Sequence, residues 1–317
     1  MKNRRDAIRD KGSFELASSK ANFEYSVKCI HNAVDKRVPI IIYGPPGTGK
    51  TKVVIDLIRQ MEQAETLGRS EIIQFHTKFS YEDFIEGFSP SENGFIKKDG
   101  VFKKFCQHPS AQDKTDIFLI DEINRAELST TFGEALFALE DRELRSVTTA
   151  HFGDSLKIPL NLALIGTMNT ADRNIQNFDF AIRRRFKFIP LFPSEPMLSE
   201  WMNRIGFGFS DFSVAQYCSF FSKINSRIRL HPMLGSHMQL GQSMFVPIAS
   251  ETPFPLSALT ENFTEAVIAQ VEAYFGFGNQ RELSLVFNPN IAEKYLANRQ
   301  INTDEFTALI REVINEQ

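Results

Sequence analysis

Gly44-Pro45-Pro46-Gly47-Thr48-Gly49-Lys50-Thr51 stands between the apolar run Val38–Tyr43 and a segment, Lys52–Gln63, with apolar residues at helical spacing. Strand, glycine-rich turn and helix in that order is the setting in which G-x-x-x-x-G-K-[ST] holds phosphate. Each residue type has a physical reason. The glycines let backbone N–H groups turn inward without a Cβ in the way. The helix N-terminus adds the positive end of its dipole. Lys50 brings a point charge to the β- and γ-phosphates of a nucleotide, and the Thr51 hydroxyl is placed to bind Mg²⁺. A glycine-proline turn that matches by chance lacks those flanks.

Working outward, Ile117-Phe118-Leu119-Ile120-Asp121-Glu122 is four apolar residues followed by two carboxylates. Such a run reads as a buried strand whose C-terminal end carries the acids, and ligands of open α/β sheets bind at that end. Asp121 is the expected Mg²⁺ holder through water. Glu122 is the candidate to polarise the attacking water beside the γ-phosphate. Alone, a strand ending in Asp-Glu is most often a solvated edge; beside a phosphate loop, the catalytic reading wins. A third run, Leu162–Gly166, leads into Thr167-Met168-Asn169-Thr170-Ala171-Asp172-Arg173. Asn169 is the best-placed polar residue there to touch the γ-phosphate or its water. Arg183-Arg184-Arg185 then precedes Phe186–Phe192. A charge run is usually solvated, but hydrolysis gains from an arginine that reaches the transferring phosphoryl group, often from another molecule.

The order of elements defines the fold class. Val38–Tyr43, Glu71–His76, Asp116–Ile120, Leu162–Gly166 and Phe186–Phe192 alternate with helical segments, including Glu127–Glu140, which is the mark of a parallel α/β sheet. After Pro193 the strand signal fades, and Glu195–Arg204, Ser213–Ile228, Phe263–Phe275 and Asp304–Asn315 read as helices. The expected organisation is a lead-in over 1–37 with a helix near Asn22–Asp35, an α/β nucleotide-binding domain over 38–193, and a smaller, mostly helical domain over 194–317.

Composition excludes several classes. The 317 residues are 42% hydrophobic and 24% charged, a soluble globular mix. No apolar run reaches the roughly 18 residues that cross a bilayer, and the basic N-terminus lacks the apolar core of a signal peptide. Cys29, Cys106 and Cys218 form no CxxC pair, which fits a reducing cytoplasm. With 36 Lys and Arg against 39 Asp and Glu, a net charge of −3 gives no general grip on a polyanion. The 30 phenylalanines read as core and subunit interface.

The strings GPPGTGKT, IDEINRAELS, IGTMNTADR and FAIRRRF together resemble the McrB-like branch of AAA+ proteins. MNTADR (Met168–Arg173) is far more specific than the phosphate loop. Gln74–Pro90, Gly100–Cys106 and Phe132–Glu140 support it, and similarity covers residues 38–192 most strongly. The resemblance implies the AAA+ fold: a parallel five-stranded sheet between helices, followed by a helical lid. It also implies a hexameric ring with a nucleotide site at each junction. Asn169 matches the family's sensor position, and Arg184 and Arg185 match the arginines that reach the neighbour, their separate roles left open. GTP or ATP with Mg²⁺ is the implied substrate. The implied partner is an McrC-like subunit that stimulates hydrolysis and carries the nuclease, with DNA engaged through the complex and no membrane involved.

Two departures accompany the resemblance. About 40 residues precede the phosphate loop, too few for the family's N-terminal DNA-reading domain, so modified-base recognition is expected outside this chain. The lid motif, usually GHSYF, is Gly241-Gln242-Ser243-Met244-Phe245, which puts its contacts with nucleotide or neighbour in question; Asn174 replaces a usual Ser. Other features read plainly. His76 and His151 lack partners at metal spacing. The lysines of residues 95–105 read as solvated around a β-turn, although lysine-aromatic mixtures also occur on nucleic-acid surfaces. Tyr81 and Phe84 either face a ring pore or pack under the sheet edge. The leading function is the nucleoside triphosphatase motor of a McrBC-like restriction or phage-defence complex. Against it stand a MoxR-like ATPase that remodels protein and a nucleotide-gated assembly scaffold with negligible turnover.

Overall fold

The computed structural model describes residues 19–92, 94–143, 146–172, 180–205, 210–247 and 254–316. In chain order the strands are β1 (Ile40–Gly44), β2 (Leu67–Gln74), β3 (Glu86–Ser91), β4 (Gly94–Asp99), β5 (Thr115–Asp121), β6 (Val147–Thr148), β7 (Ser155–Leu156), β8 (Leu162–Asn169) and β9 (Lys187–Pro190). Five of them form one parallel sheet in the order β2-β5-β8-β1-β9. The interior strands β5 and β8 are buried along nearly their whole length, as a sheet covered on both faces requires. Their runs IFLI and LALI supply apolar side chains to both layers. Phe118, Ile120, Leu162 and Leu164 face one core with Phe84, Phe102 and Phe132. Ile117, Leu119, Ala163 and Ile165 face the other, with Val54, Leu57 and Ile58 of helix Lys50–Gln63.

From Glu195 onward the described chain is helical, and Leu198, Tyr217, Phe220, Phe245, Phe263, Phe287 and Phe306 belong to a separate core. Much of the phenylalanine content is thus spent on packed aromatic clusters, such as Phe84 stacked on Phe102 at 4.7 Å and Phe263 against Phe306 at 4.7 Å.

The structure redraws three local expectations. Glu127–Glu140 is not one helix but two short ones, Leu128–Phe132 and Ala135–Ala138, parted at Gly133, whose φ is 47°. A Cβ there would meet the Tyr81 ring at 2.8 Å, so the break makes room for that ring. Residues 95–105 are not a turn with solvated lysines throughout. They comprise most of β4, antiparallel to β3, and the start of helix Val101–Gln107. Lys103 is buried there, its ammonium 2.6 Å from Glu86, 2.7 Å from Asp99 and 2.7 Å from Asp154. Glu86 also accepts the His151 and Phe152 N–H groups, so this one cluster ties the β3–β4 hairpin to the turn between β6 and β7. Finally, Phe84 is fully buried, whereas Tyr81 is partly exposed and its hydroxyl accepts the Ala150 N–H.

Candidate active site

The parallel register brings the three sequence segments to one end of the sheet. Gly44 pairs with Asn169, Ile120 pairs with Gly166, and Asp121 closes β5 beside Gln74 of β2. The chain leaves β1 as the phosphate loop, where Gly47 (φ 75°) and Gly49 (φ 87°) hold the left-handed conformations that a side chain resists. Thr48 is fully buried, and its hydroxyl donates to the Pro45 carbonyl at 3.1 Å. The helix beginning at Lys50 therefore opens directly beneath the loop.

Lys50 donates to the Gly44 and Pro45 carbonyls at 3.0 and 2.8 Å. Burial pushes its pKa down to about 8, with Glu122, Asp121 and Asp172 partly opposing the shift. The Thr51 hydroxyl donates to Asp121 Oδ1 at 2.7 Å, and Thr167 donates to the same oxygen. Thr167 also accepts the Glu122 N–H at 3.3 Å, so one hydroxyl of β8 orders both acids. Glu122 itself sits at φ 52°, an uncommon conformation for a residue with a side chain. Its Oε2 is buried and without a hydrogen-bond partner, the Arg125 Nε lying 3.5 Å away. Burial raises the Glu122 pKa, Arg125 acting against it.

Arg125, which sequence reading passed over, also lies 3.7 Å from Asp172 and so stands between the two acids. Its signal was present in the string IDEINRAELS, but pairing with a carboxylate 47 positions away is not local information. Asn169 ends β8 next to the loop, and its Oδ1 accepts the Ala171 N–H at 3.4 Å. Thr170 ties this segment down on two sides, donating its N–H to Gly44 and its hydroxyl to the His237 carbonyl. Arg173 lies outside the described residues.

The arginine run is split by its surroundings. Arg185 has only 6% of its side chain exposed and donates to Glu140 at 3.1 Å and to the Ala181 carbonyl at 2.9 Å. The Arg184 side chain is 61% exposed and lies 3.9 Å from Glu140.

Hydroxyl and carboxylate oxygens at Thr51 and Asp121 form the hard donor set that Mg²⁺ prefers, and a buried carboxylate oxygen that accepts no hydrogen bond lies one residue on at Glu122. Elsewhere among the described residues, Glu86, Asp99 and Asp154 could group around a cation. Their centre is taken by the Lys103 ammonium. His76 Nδ1 accepts the Lys78 N–H.

A glycine-rich loop at a strand-to-helix junction, with a lysine and a threonine opening the helix and the threonine bonded to an acid that ends a strand two places along the sheet, defines a P-loop NTPase of the AAA class. Residues 39–186 match the family described as AAA domain (dynein-related subfamily). Over 177 residues the chain is 42% identical to the type IV methyl-directed restriction enzyme EcoKMcrB subunit of Escherichia coli K12, which covers 54% of this chain and 39% of that protein. It is 23% identical over 190 residues to the type II restriction enzyme BsuMI component YdiS of Bacillus subtilis, covering 47% and 55% respectively. Over this stretch the chain carries an AAA domain similar to that of the McrB subunit. The chain spans little more than a third of the first relative and about half of the second. No helix among the described residues is long and apolar enough to cross a membrane.

The lowered Lys50 pKa has a consequence in solution. In the free protein Lys50 is an ammonium below about pH 8 and loses its charge above it. A triphosphate bound against Lys50 would hold the proton on, so that binding at higher pH would take one up from solvent. Magnesium-nucleotide affinity is therefore expected to fall about ten-fold between about pH 7 and about pH 9. Equilibrium titration checks this. A flat profile would remove Lys50 from the phosphates.

Proposed function

We propose that this chain hydrolyses GTP or ATP with magnesium, at the junctions of a ring, as the motor of a McrBC-like restriction or phage-defence complex. The observation that carries the reading is the convergence of Lys50, Thr51, Asp121, Glu122 and Asn169 at the ends of three adjacent strands. The amides of Gly47–Thr51 and the Lys50 ammonium bind the phosphates. Thr51 and Asp121 would hold magnesium, which when bound would supply positive charge against the phosphate oxygens. Glu122, whose buried Oε2 accepts no hydrogen bond, orients a water for in-line attack and accepts its proton. Asn169 contacts the γ-phosphate side of that water. Arg184, the more exposed of the two arginines, reaches the neighbouring subunit's nucleotide, while Arg185 braces its own subunit through Glu140.

The printed names of two relatives are those of restriction enzyme components, and this supports placing the motor in such a complex beside an McrC-like nuclease subunit. The test is steady-state phosphate release from GTP and from ATP, with and without the McrC-like subunit. Turnover is expected to rise with that subunit, and duplex cleavage to require both polypeptides. Turnover indifferent to any nuclease subunit, but raised by an unfolded protein substrate, would favour the remodelling ATPase instead.

A further inference from the structure

Three consecutive carbonyls of the phosphate loop are held by one segment of the helical domain nearly 200 residues away. Gly241 N donates to the Pro46 carbonyl at 2.7 Å, and Ser243 N and Oγ donate to the Gly47 carbonyl at 3.1 and 3.0 Å. Gln242 Nε2 donates to the Thr48 carbonyl at 2.9 Å. The approach is too close for any side chain at position 241, where a Cβ would meet the Gly47 carbonyl carbon at 1.9 Å.

The peptide bond is trans, so the carbonyl of one residue and the N–H of the next point in opposite directions. Fixing the Pro46, Gly47 and Thr48 carbonyls outward thus orients the Gly47, Thr48 and Gly49 N–H groups the other way, toward the space that phosphate occupies. Gln242 does more than its neighbours. Its side-chain Oε1 accepts the N–H of Ser194 at 3.2 Å, and Ser194 is the residue before the first helix of the helical domain. Gln242, Ser194 and Thr48 are buried, with 5%, 0% and 0% exposure. One carboxamide therefore joins the connection between the two domains to the phosphate loop, using its donor on one and its acceptor on the other.

We infer that Gln242 is a positioning residue that presets the phosphate-loop amides and couples the attitude of the helical domain to nucleotide binding. This rests on the reading of Gly44–Thr51 as a triphosphate site. The coupling is reciprocal: whatever loosens the carboxamide bridge weakens nucleotide binding, and nucleotide binding in turn protects the bridge. The role needs one donor and one acceptor. A neutral imidazole also supplies both.

The experiment compares the 317-residue wild-type chain with Gln242→Glu, Gln242→Leu and Gln242→His. Binding of magnesium GTP and magnesium ATP is measured by calorimetry. Amide hydrogen exchange is followed on peptides covering 44–51 and 238–245, without and with nucleotide. Glu keeps the shape but turns an acceptor against the Thr48 carbonyl, and Leu removes both bonds. Each is expected to weaken binding about ten-fold or more, the scale set by a buried group left unpaired, and to speed exchange over 44–51 in the nucleotide-free protein. His is expected to stay within about three-fold of wild type, where a merely space-filling role would favour Leu over His. Binding and exchange unchanged in folded Gln242→Glu, or Leu performing as well as His, overturns the inference. A wild-type chain that binds neither nucleotide overturns the phosphate-site reading instead, and the nucleotide-free exchange still decides whether Gln242 orders the loop.

Discussion

Glu122→Gln is expected to bind magnesium nucleotide about as tightly as wild type and to hydrolyse it on the order of 10²–10⁴-fold more slowly, the range for losing a positioned proton acceptor. The change preserves shape and the Thr167 contact, which runs to the Glu122 backbone N–H rather than to its carboxylate. It removes the negative charge that burial has already made costly and that Arg125 offsets. Lys50→Ala acts on the other half of the site. It takes away the half-buried ammonium assigned here to the phosphates, so binding itself is expected to fail. The pair thus separates binding from chemistry. Equilibrium binding and single-turnover hydrolysis read the two effects independently.

The second large effect is expected at Arg184. Because its side chain is largely exposed and its ion-pair partner is Glu140, Arg184→Ala should bind nucleotide yet lose on the order of 10³-fold or more in turnover. Mixing it with Glu122→Gln protein should restore part of the activity, since some junctions then pair an intact Glu122 with an intact Arg184. No rescue at any ratio, with mixed assemblies verified by mass, places the arginine's action within its own subunit. Arg185→Ala is expected to behave differently. Arg185 is tied to Glu140 and to the Ala181 carbonyl, so its loss should lower the melting temperature before it affects chemistry.

What the sequence made legible was local. The phosphate loop and the Asp121-Glu122 pair are short strings whose flanking strand and helix are themselves written in consecutive residues, and the five parallel strands lie close to the apolar runs that announced them. The strand ends shift by a few residues because apolar runs mark burial, whereas ladders end where hydrogen bonding does. What stayed hidden depended on distant partners. Lys103 reads as a solvated lysine until Asp154, 51 positions on, and Glu86, 17 positions back, are folded around it. Gln242 reads as a lost histidine until Thr48, 194 positions away, lies against its carboxamide. Arg184 and Arg185 are identical in sequence terms, and both lie near Glu140; burial and the bond to the Ala181 carbonyl tell them apart. Gly133 is a mild helix-breaking signal inside an apolar pattern, and the Tyr81 ring that demands the break belongs to another element.

The most direct measurement is phosphate release from GTP and ATP in magnesium, run side by side on wild type, Lys50→Ala and Glu122→Gln, with bound nucleotide measured in the same samples. The expected result is release by wild type that requires magnesium, no bound triphosphate on Lys50→Ala, and retained, unhydrolysed triphosphate on Glu122→Gln. Turnover that persists in both variants, or a wild-type chain that neither binds nor hydrolyses either nucleotide, would contradict the assignment of Gly44–Thr51 with Asp121 and Glu122 as a hydrolytic site.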